Sequence, residues 1–210
     1  MNVFLCILFI VLSYLIGSIP FGLIVGKSKN VDLREHGSGN IGSTNAIRVL
    51  GFKAGIIAAI LDVIKGAIVI IIIYILVKLN LFENPLQIDG EQLYILYGFP
   101  AVLGHSFSIY LKFKGGKCVA TGLGVLFAIN GYLGLIALIT FAIVLALSRY
   151  VSLSSTIAAI SAIISSFIYY LVCHLSIITP IIVTFICILI FVKHIPNYKR
   201  LINGNENRAF

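Results

Sequence analysis

Long apolar runs recur along this chain and are separated by short polar breaks. The runs cover 3–25, 54–77, 92–111, 119–147, 153–172 and 177–192. A hydrocarbon core of ~30 Å takes ~20 apolar helical residues to cross. Inside it every backbone N–H and C=O must find a partner without help from water, which points to helices. Composition agrees: 60% of the 210 residues are hydrophobic, the mean hydropathy is +1.11 and 10% are charged. A soluble domain is about 25% charged. The expected fold class is an all-α integral membrane protein in a single domain, 1–210. No basic stretch precedes the first run and no small-residue cleavage site stands out, so that run reads as a retained span.

Charge sets the topology. The net charge of +8 comes from Lys and Arg in short loops, where they orient spans and meet anionic headgroups; it is not a nucleic-acid footprint. The stretch from Gly26 to Lys53 is basic and should face the cytoplasm. Residues 79–91 carry Glu83, Asp89 and Glu91 without Lys or Arg, which suits the outside. The run from Val119 to Leu147 would measure ~44 Å as one helix at ~1.5 Å per residue, too long for one span and too short for two full ones. Asn130-Gly131 is a turn signal near its middle. Two short helices broken there give seven transmembrane helices, several of them short, with the N-terminus outside and the C-terminus cytoplasmic. All fifteen Lys and Arg except Lys65 and Lys78 then lie on or beside the cytoplasmic face. The four Cys (Cys6, Cys118, Cys173, Cys187) show no C-x-x-C spacing. They read as buried hydrophobes, not as metal ligands or a disulfide framework.

The polar breaks converge on that face. Gly115-Gly116 is expected to adopt positive φ and bare its N–H groups, with Lys117 beside it and a helix starting near Val119. Such an arrangement favours an anion such as phosphate. The segment Ser38–Arg48 holds three hydroxyls and an Arg; it is expected to be a tight loop offering donors to an oxyanion, not an amphipathic helix. Asp62 and Lys65 sit at i, i+3 within a span and can pair. They read first as a lock on helix packing and second as catalytic groups. In Arg149-Tyr150-Val151-Ser152-Leu153-Ser154-Ser155, Ser152 or Ser155 is expected to cap the next helix and could reach an anion. His36 and His174 have no matching partners and take no role. Acidic residues are scarce on the basic face, leaving no oxygen cage for Mg²⁺; no metal or cofactor is expected. Taken alone, these features fit an enzyme acting on phosphorylated substrates, or a small phosphate transporter. No internal repeat of the kind common in transporters is visible.

Three stretches resemble the signature regions of the bacterial membrane-bound acyl-phosphate:glycerol-3-phosphate acyltransferases: SGNIGSTNAIR at 38–48, GHSFSIYLKFKGGKCVAT at 104–121 and HIPNYKRLINGNE at 194–206. Leu61–Gly66 and RYVSLSS at 149–155 resemble that family as well, so the match runs in order over nearly the whole chain. Cys118 stands where the family usually has glycine, and Ser108 where it usually has proline. Cys118 is expected in an ordinary backbone conformation.

The resemblance implies transfer of an acyl group from acyl phosphate to the 1-hydroxyl of glycerol 3-phosphate. The products are lysophosphatidic acid and phosphate, at the entry to bacterial phospholipid synthesis. It implies a multi-pass protein of the cytoplasmic membrane with its site on the cytoplasmic face, taking acyl phosphate, glycerol 3-phosphate and the lipid bilayer as partners. The site residues it implies are His105, Ser38 and Asn197 for the chemistry. For substrate binding it implies Thr44, Asn45, Arg48, Gly115, Gly116, Lys117, Ser152, Ser155, His194 and Glu206.

Overall fold

The computed structural model describes residues 2–174 and 176–209. Nine α-helices occur among them: α1 (Asn2–Ser18), α2 (Phe21–Lys27), α3 (Ser43–Leu50), α4 (Phe52–Lys78), α5 (Ile95–Ser106), α6 (Val119–Ile129), α7 (Gly131–Ser148), α8 (Val151–Cys173) and α9 (Ile178–Ile202). One departure from an all-helical chain is a hairpin of two two-residue strands, β1 (Gln87–Ile88) and β2 (Glu91–Gln92). It lies in the acidic stretch.

Four described helices, α4, α7, α8 and α9, are long and apolar enough to cross a membrane, and α1 with α2 makes a fifth if counted as one bent span. That first run is not straight. It bends by 42° between α1 and α2, where Pro20 has no N–H to continue the ladder. The third run is shorter than its hydropathy suggests: α5 has 12 residues and is followed by a 3-10 turn at Ile109–Leu111. The break at Asn130-Gly131 is present. Asn130 caps α7, its side-chain oxygen accepting from the N–H groups of Tyr132 at 2.9 Å and Leu133 at 3.2 Å. At ~1.5 Å per residue, α5 and α6 reach only about 18 and 16 Å, well short of a hydrocarbon core.

Short helices need close partners, and glycine supplies them. A Cβ on Gly17 or Gly104 would collide with the backbone of Ala101 or Tyr14, which seats α1 against α5. A Cβ on Gly66 or Gly124 would collide with the carbonyls of Thr121 or Val63, which seats α6 against α4. Backbones meeting this closely are how helices associate when lipid gives no hydrophobic drive. The core runs through Val69, Ile70, Ile73, Tyr97, Val125 and Val183. Ile60, Ile64, Ile164, Ile168 and Phe185 point outward, as they should when the solvent is hydrocarbon. Cys6, Cys118 and Cys187 are buried, but Cys173 is exposed. Successive reversals bring the end of α5, the starts of α6 and α8, the end of α9 and all of α3 to one end of the bundle.

Candidate active site

The loop from Phe107 to Cys118 is built by its own backbone. Gly115 N–H donates to Ser106 O at 3.2 Å and Gly116 N–H to His105 O at 2.9 Å. Neither glycine has positive φ; that conformation falls to Lys112, Phe113 and Cys118. The expected pair of bared amides is therefore absent. Both N–H groups are engaged, and neither glycine lines the cavity described below. Glycine is needed here for space: a Cβ on Gly115 would overlap His105 O, and one on Gly116 would overlap the imidazole at Nε2.

Both departures from the family pattern are accommodated. Ser108 has a φ of −64°, which proline would share. Its hydroxyl adds a hydrogen bond to Ser18 O at 2.6 Å. Cys118 has a φ of +53°, the left-handed conformation natural to glycine, so the expectation of an ordinary backbone there is overturned.

The segment 38–48 divides in two. Its second half is helical, α3, contrary to the expectation of a loop throughout. Asn45 explains the change. Buried at 1% exposure, its Nδ2 lies 3.0 Å from the carbonyls of Leu33, His36 and Asn40, and its Oδ1 accepts from Ser38 N–H at 2.8 Å. The side chain thus winds the preceding loop around itself while Ala46 packs with Leu33 and Ala58. Asn45 touches the cavity as a scaffold.

A cavity of about 270 Å³ opens between these pieces. Its polar mouth contains Ser38, Thr44, Arg48, His105, Lys117, Ser152, Ser155, His194, Asn197 and Glu206, with Asn45 beneath. Its apolar depth is lined by Leu126, Ala137, Phe141, Val183, Ile186 and Ile190. The sequence-predicted residues thus meet in one place, apart from the two glycines. The serines do not cap α8, whose cap residue is Tyr150. Ser155 Oγ donates back to Val151 O at 2.8 Å. Ser152 Oγ is buried and faces the Glu206 carboxylate.

A relay of polar groups crosses the mouth. Lys117 Nζ donates to Asn197 Oδ1 at 2.6 Å, Asn197 Nδ2 to Glu206 Oε1 at 2.7 Å, and Arg200 Nε to Glu206 Oε2 at 2.8 Å. Burial lowers the Lys117 ammonium to about 8; Glu206 opposes that shift, while Arg200 and Arg48 add to it. Burial resists ionisation of Glu206, but the donors on Asn197 and Arg200 outweigh it and hold the carboxyl below its usual value. His194 Nδ1–H donates to Ile190 O at 2.8 Å, which leaves its Nε2 as an acceptor.

His105 is 6% exposed, and its Nδ1 stands 3.7 Å from Asp62 Oδ1. Asp62 pairs with Lys65 at 2.7 Å, and Lys65 also donates to Ile19 O at 2.7 Å. Lys65 locks α4 to the α1–α2 bend while Asp62 borders the cavity, so the two readings of the pair are not exclusive. Arg200 is a site group to which the sequence reading gave no role, and Asp62 is one that it placed first in packing. The signals were a carboxylate within a span and an Arg six residues before Glu206.

The family model for glycerol-3-phosphate acyltransferases matches residues 7–204. Over 99% of its length the chain is 43% identical to a glycerol-3-phosphate acyltransferase of Acholeplasma laidlawii, covering 94% of that protein. It is also 43% identical to one of Bacillus subtilis, with 96% of each covered. Its structure is similar to a crystal structure of PlsY, an integral membrane glycerol 3-phosphate acyltransferase, in the glycerol 3-phosphate form. That match has a TM-score of 0.82 and 36% identity and covers 96% of this chain and 94% of the other. The lysophosphatidic acid form matches with a TM-score of 0.80 and 35% identity, over the same shares.

Proposed function

The chain belongs to the glycerol-3-phosphate acyltransferase family, and from that premise we propose that it moves an acyl group from acyl phosphate to the 1-hydroxyl of glycerol 3-phosphate. The observation that carries this reading is a cavity that joins a cationic mouth to an apolar depth. A substrate pair that shares two phosphates and one hydrocarbon tail needs both halves together.

Arg48, Thr44 and Ser38 suit one phosphate. Lys117 and the first-turn N–H groups of α6, whose Val119 and Ala120 line the cavity, suit the other. The hydroxyl oxygen attacks the acyl carbonyl, the bond from that carbonyl to phosphate oxygen breaks, and phosphate departs with the electron pair. The donor is already an activated anhydride, so no serine ester is required, and Ser38 binds phosphate. The hydroxyl proton leaves on the His105 imidazole or on an oxygen of the departing phosphate. Normal turnover by His105→Ala across pH assigns it to the phosphate. Asn197 orients the substrate through its bond to Lys117.

Seven crossings, with α5 and α6 as short ones, put the basic breaks and the mouth on the cytoplasmic side, with the N-terminus outside. The positive loops support this orientation, and cysteine labelling at Arg48, Lys117 and Asn197 tests it. Labelling of these positions from opposite sides would overturn it. The reaction itself is tested with purified protein in detergent, offered acyl phosphate, acyl-CoA or acyl carrier protein with glycerol 3-phosphate. Lysophosphatidic acid and phosphate should form from acyl phosphate alone. Equal use of the other donors would remove the donor assignment. Phosphate movement only across sealed vesicles would favour a transporter.

A further inference from the structure

One polar stretch at the mouth has no place in the scheme above. The family match ends at residue 204 and the motif resemblance at Glu206, yet the chain folds back over the site beyond them. Asn207 O accepts from Arg48 Nη2 at 3.1 Å. The Arg208 guanidinium stands 5.9 Å from the centre of the Tyr150 ring. Ala209 N–H donates to Arg149 O at 2.8 Å. With Glu206 already tied to Asn197 and Arg200, this short segment joins α3, the α7–α8 hinge and α9 across the cavity mouth.

We infer that residues 207–209 are a positioning strap, holding Arg48 in the orientation that receives a substrate phosphate. The inference rests on the reading of this cavity as the acyl-transfer site. Arg48 is exposed and has a long, freely rotating stem. Among the described residues, the one hydrogen bond its guanidinium makes is to Asn207 O. The strap contributes nothing to the buried core clusters, so its removal leaves the bundle packed while freeing Arg48. Ordering a flexible side chain before the ligand arrives lowers the cost of binding. A group that binds ground state and transition state alike shows in KM, not in kcat.

The test uses the full chain, a chain stopped after Glu206, Ala209→Pro, which removes the N–H to Arg149, and Ala209→Ser, which keeps it. Arg208→Ala and Arg208→Lys form a second pair. Initial rates, calorimetric binding of glycerol 3-phosphate and the thermal midpoint are measured for each. The stopped chain and Ala209→Pro should raise KM and Kd for glycerol 3-phosphate about tenfold, the scale of one lost hydrogen bond, with kcat within about twofold and the thermal midpoint unchanged. Ala209→Ser should behave as the parent, and Arg208→Lys should recover what Arg208→Ala loses. Parental KM in both the stopped chain and Ala209→Pro overturns the strap and leaves the reaction assignment standing. A fall in kcat and thermal midpoint alongside KM overturns it too, in favour of general structural support. A parent chain that neither binds nor turns over glycerol 3-phosphate removes the site reading first and the strap with it.

Discussion

Lys65 and Lys117 are both cations withdrawn from water, and their surroundings give them different chemistry. Lys65 is 2% exposed, with a carboxylate at 2.7 Å and a carbonyl at 2.7 Å. Its charge is answered within the fold. Lys117 reaches only an amide oxygen, at 2.6 Å, and its nearest carboxylate is one residue further along the relay. A cation held by a neutral dipole at the rim of a cavity retains most of its attraction for an incoming anion. The lesson is that burial alone does not mark a functional lysine; the identity of its partner does.

The comparison breaks most sharply at Asp62. Asp62→Ala leaves Lys65 buried without its counter-ion, which costs about 3–5 kcal/mol. The expected result is a large drop in thermal midpoint, or loss of folded protein on purification. A midpoint near the parent's would mean that Lys65 is not a structural cation. Lys117→Ala should do the reverse, leaving the midpoint within about 2 °C while kcat/KM falls about 100-fold, the scale of one lost donor to reacting charge. Parental kinetics in that variant would erase the contrast.

Gly116→Ala sharpens the geometry of the same loop. Its methyl group meets His105 Nε2, so the imidazole must shift, and a loss of about tenfold in kcat is expected for a displacement of this kind. An unchanged kcat would detach His105 from the reaction. Acidity offers a further test. Lys117 titrates near 8 in the fold against an ordinary 10.5, so the unfolded chain binds more protons between those values. This group therefore makes stability rise with pH from about 8 to 10.5, while anion binding weakens over the same interval. KM for the phosphate substrates should climb above pH 8, and Lys117→Arg should flatten the climb. The smallest effect is expected of Cys118→Gly. Relief of left-handed strain, about 1–2 kcal/mol, is offset by the lost thiol packing and by glycine's extra freedom. Stability should change by no more than about 1 kcal/mol, read as a small shift in midpoint with activity retained.

Particular residues show how much was legible beforehand. Asn130-Gly131 announced its break because a capping side chain acts on N–H groups two and three residues away, a local matter. The polar breaks that carry Arg48, Lys117 and Asn197 were expected to converge, and these residues line one cavity. The 42° bend at Pro20 had a local signal too, one that the apolar run hid. Gly115 and Gly116 misled: two glycines permit bared amides, but the carbonyls of His105 and Ser106 came within reach and took them. The helical half of 38–48 was hidden in the same way, since the three carbonyl partners of Asn45 sit in a loop whose path no local rule dictates. Ser152 and Ser155 fell inside α8 because the helix began one residue before the first of them.

What the sequence determined by itself was the solvent this chain folds in, the helical class, the position of the break near Asn130 and the gathering of polar breaks at one end. Each follows from short-range patterns of hydropathy, turn chemistry and charge. Tertiary structure alone decided which polar groups were already satisfied and which stayed open to a ligand. Lys117 meets Asn197 across 80 residues of chain, and Arg48 meets Asn207 across 159. Hydrogen bonds act over about 3 Å, so their partners are set by which helices come to lie side by side.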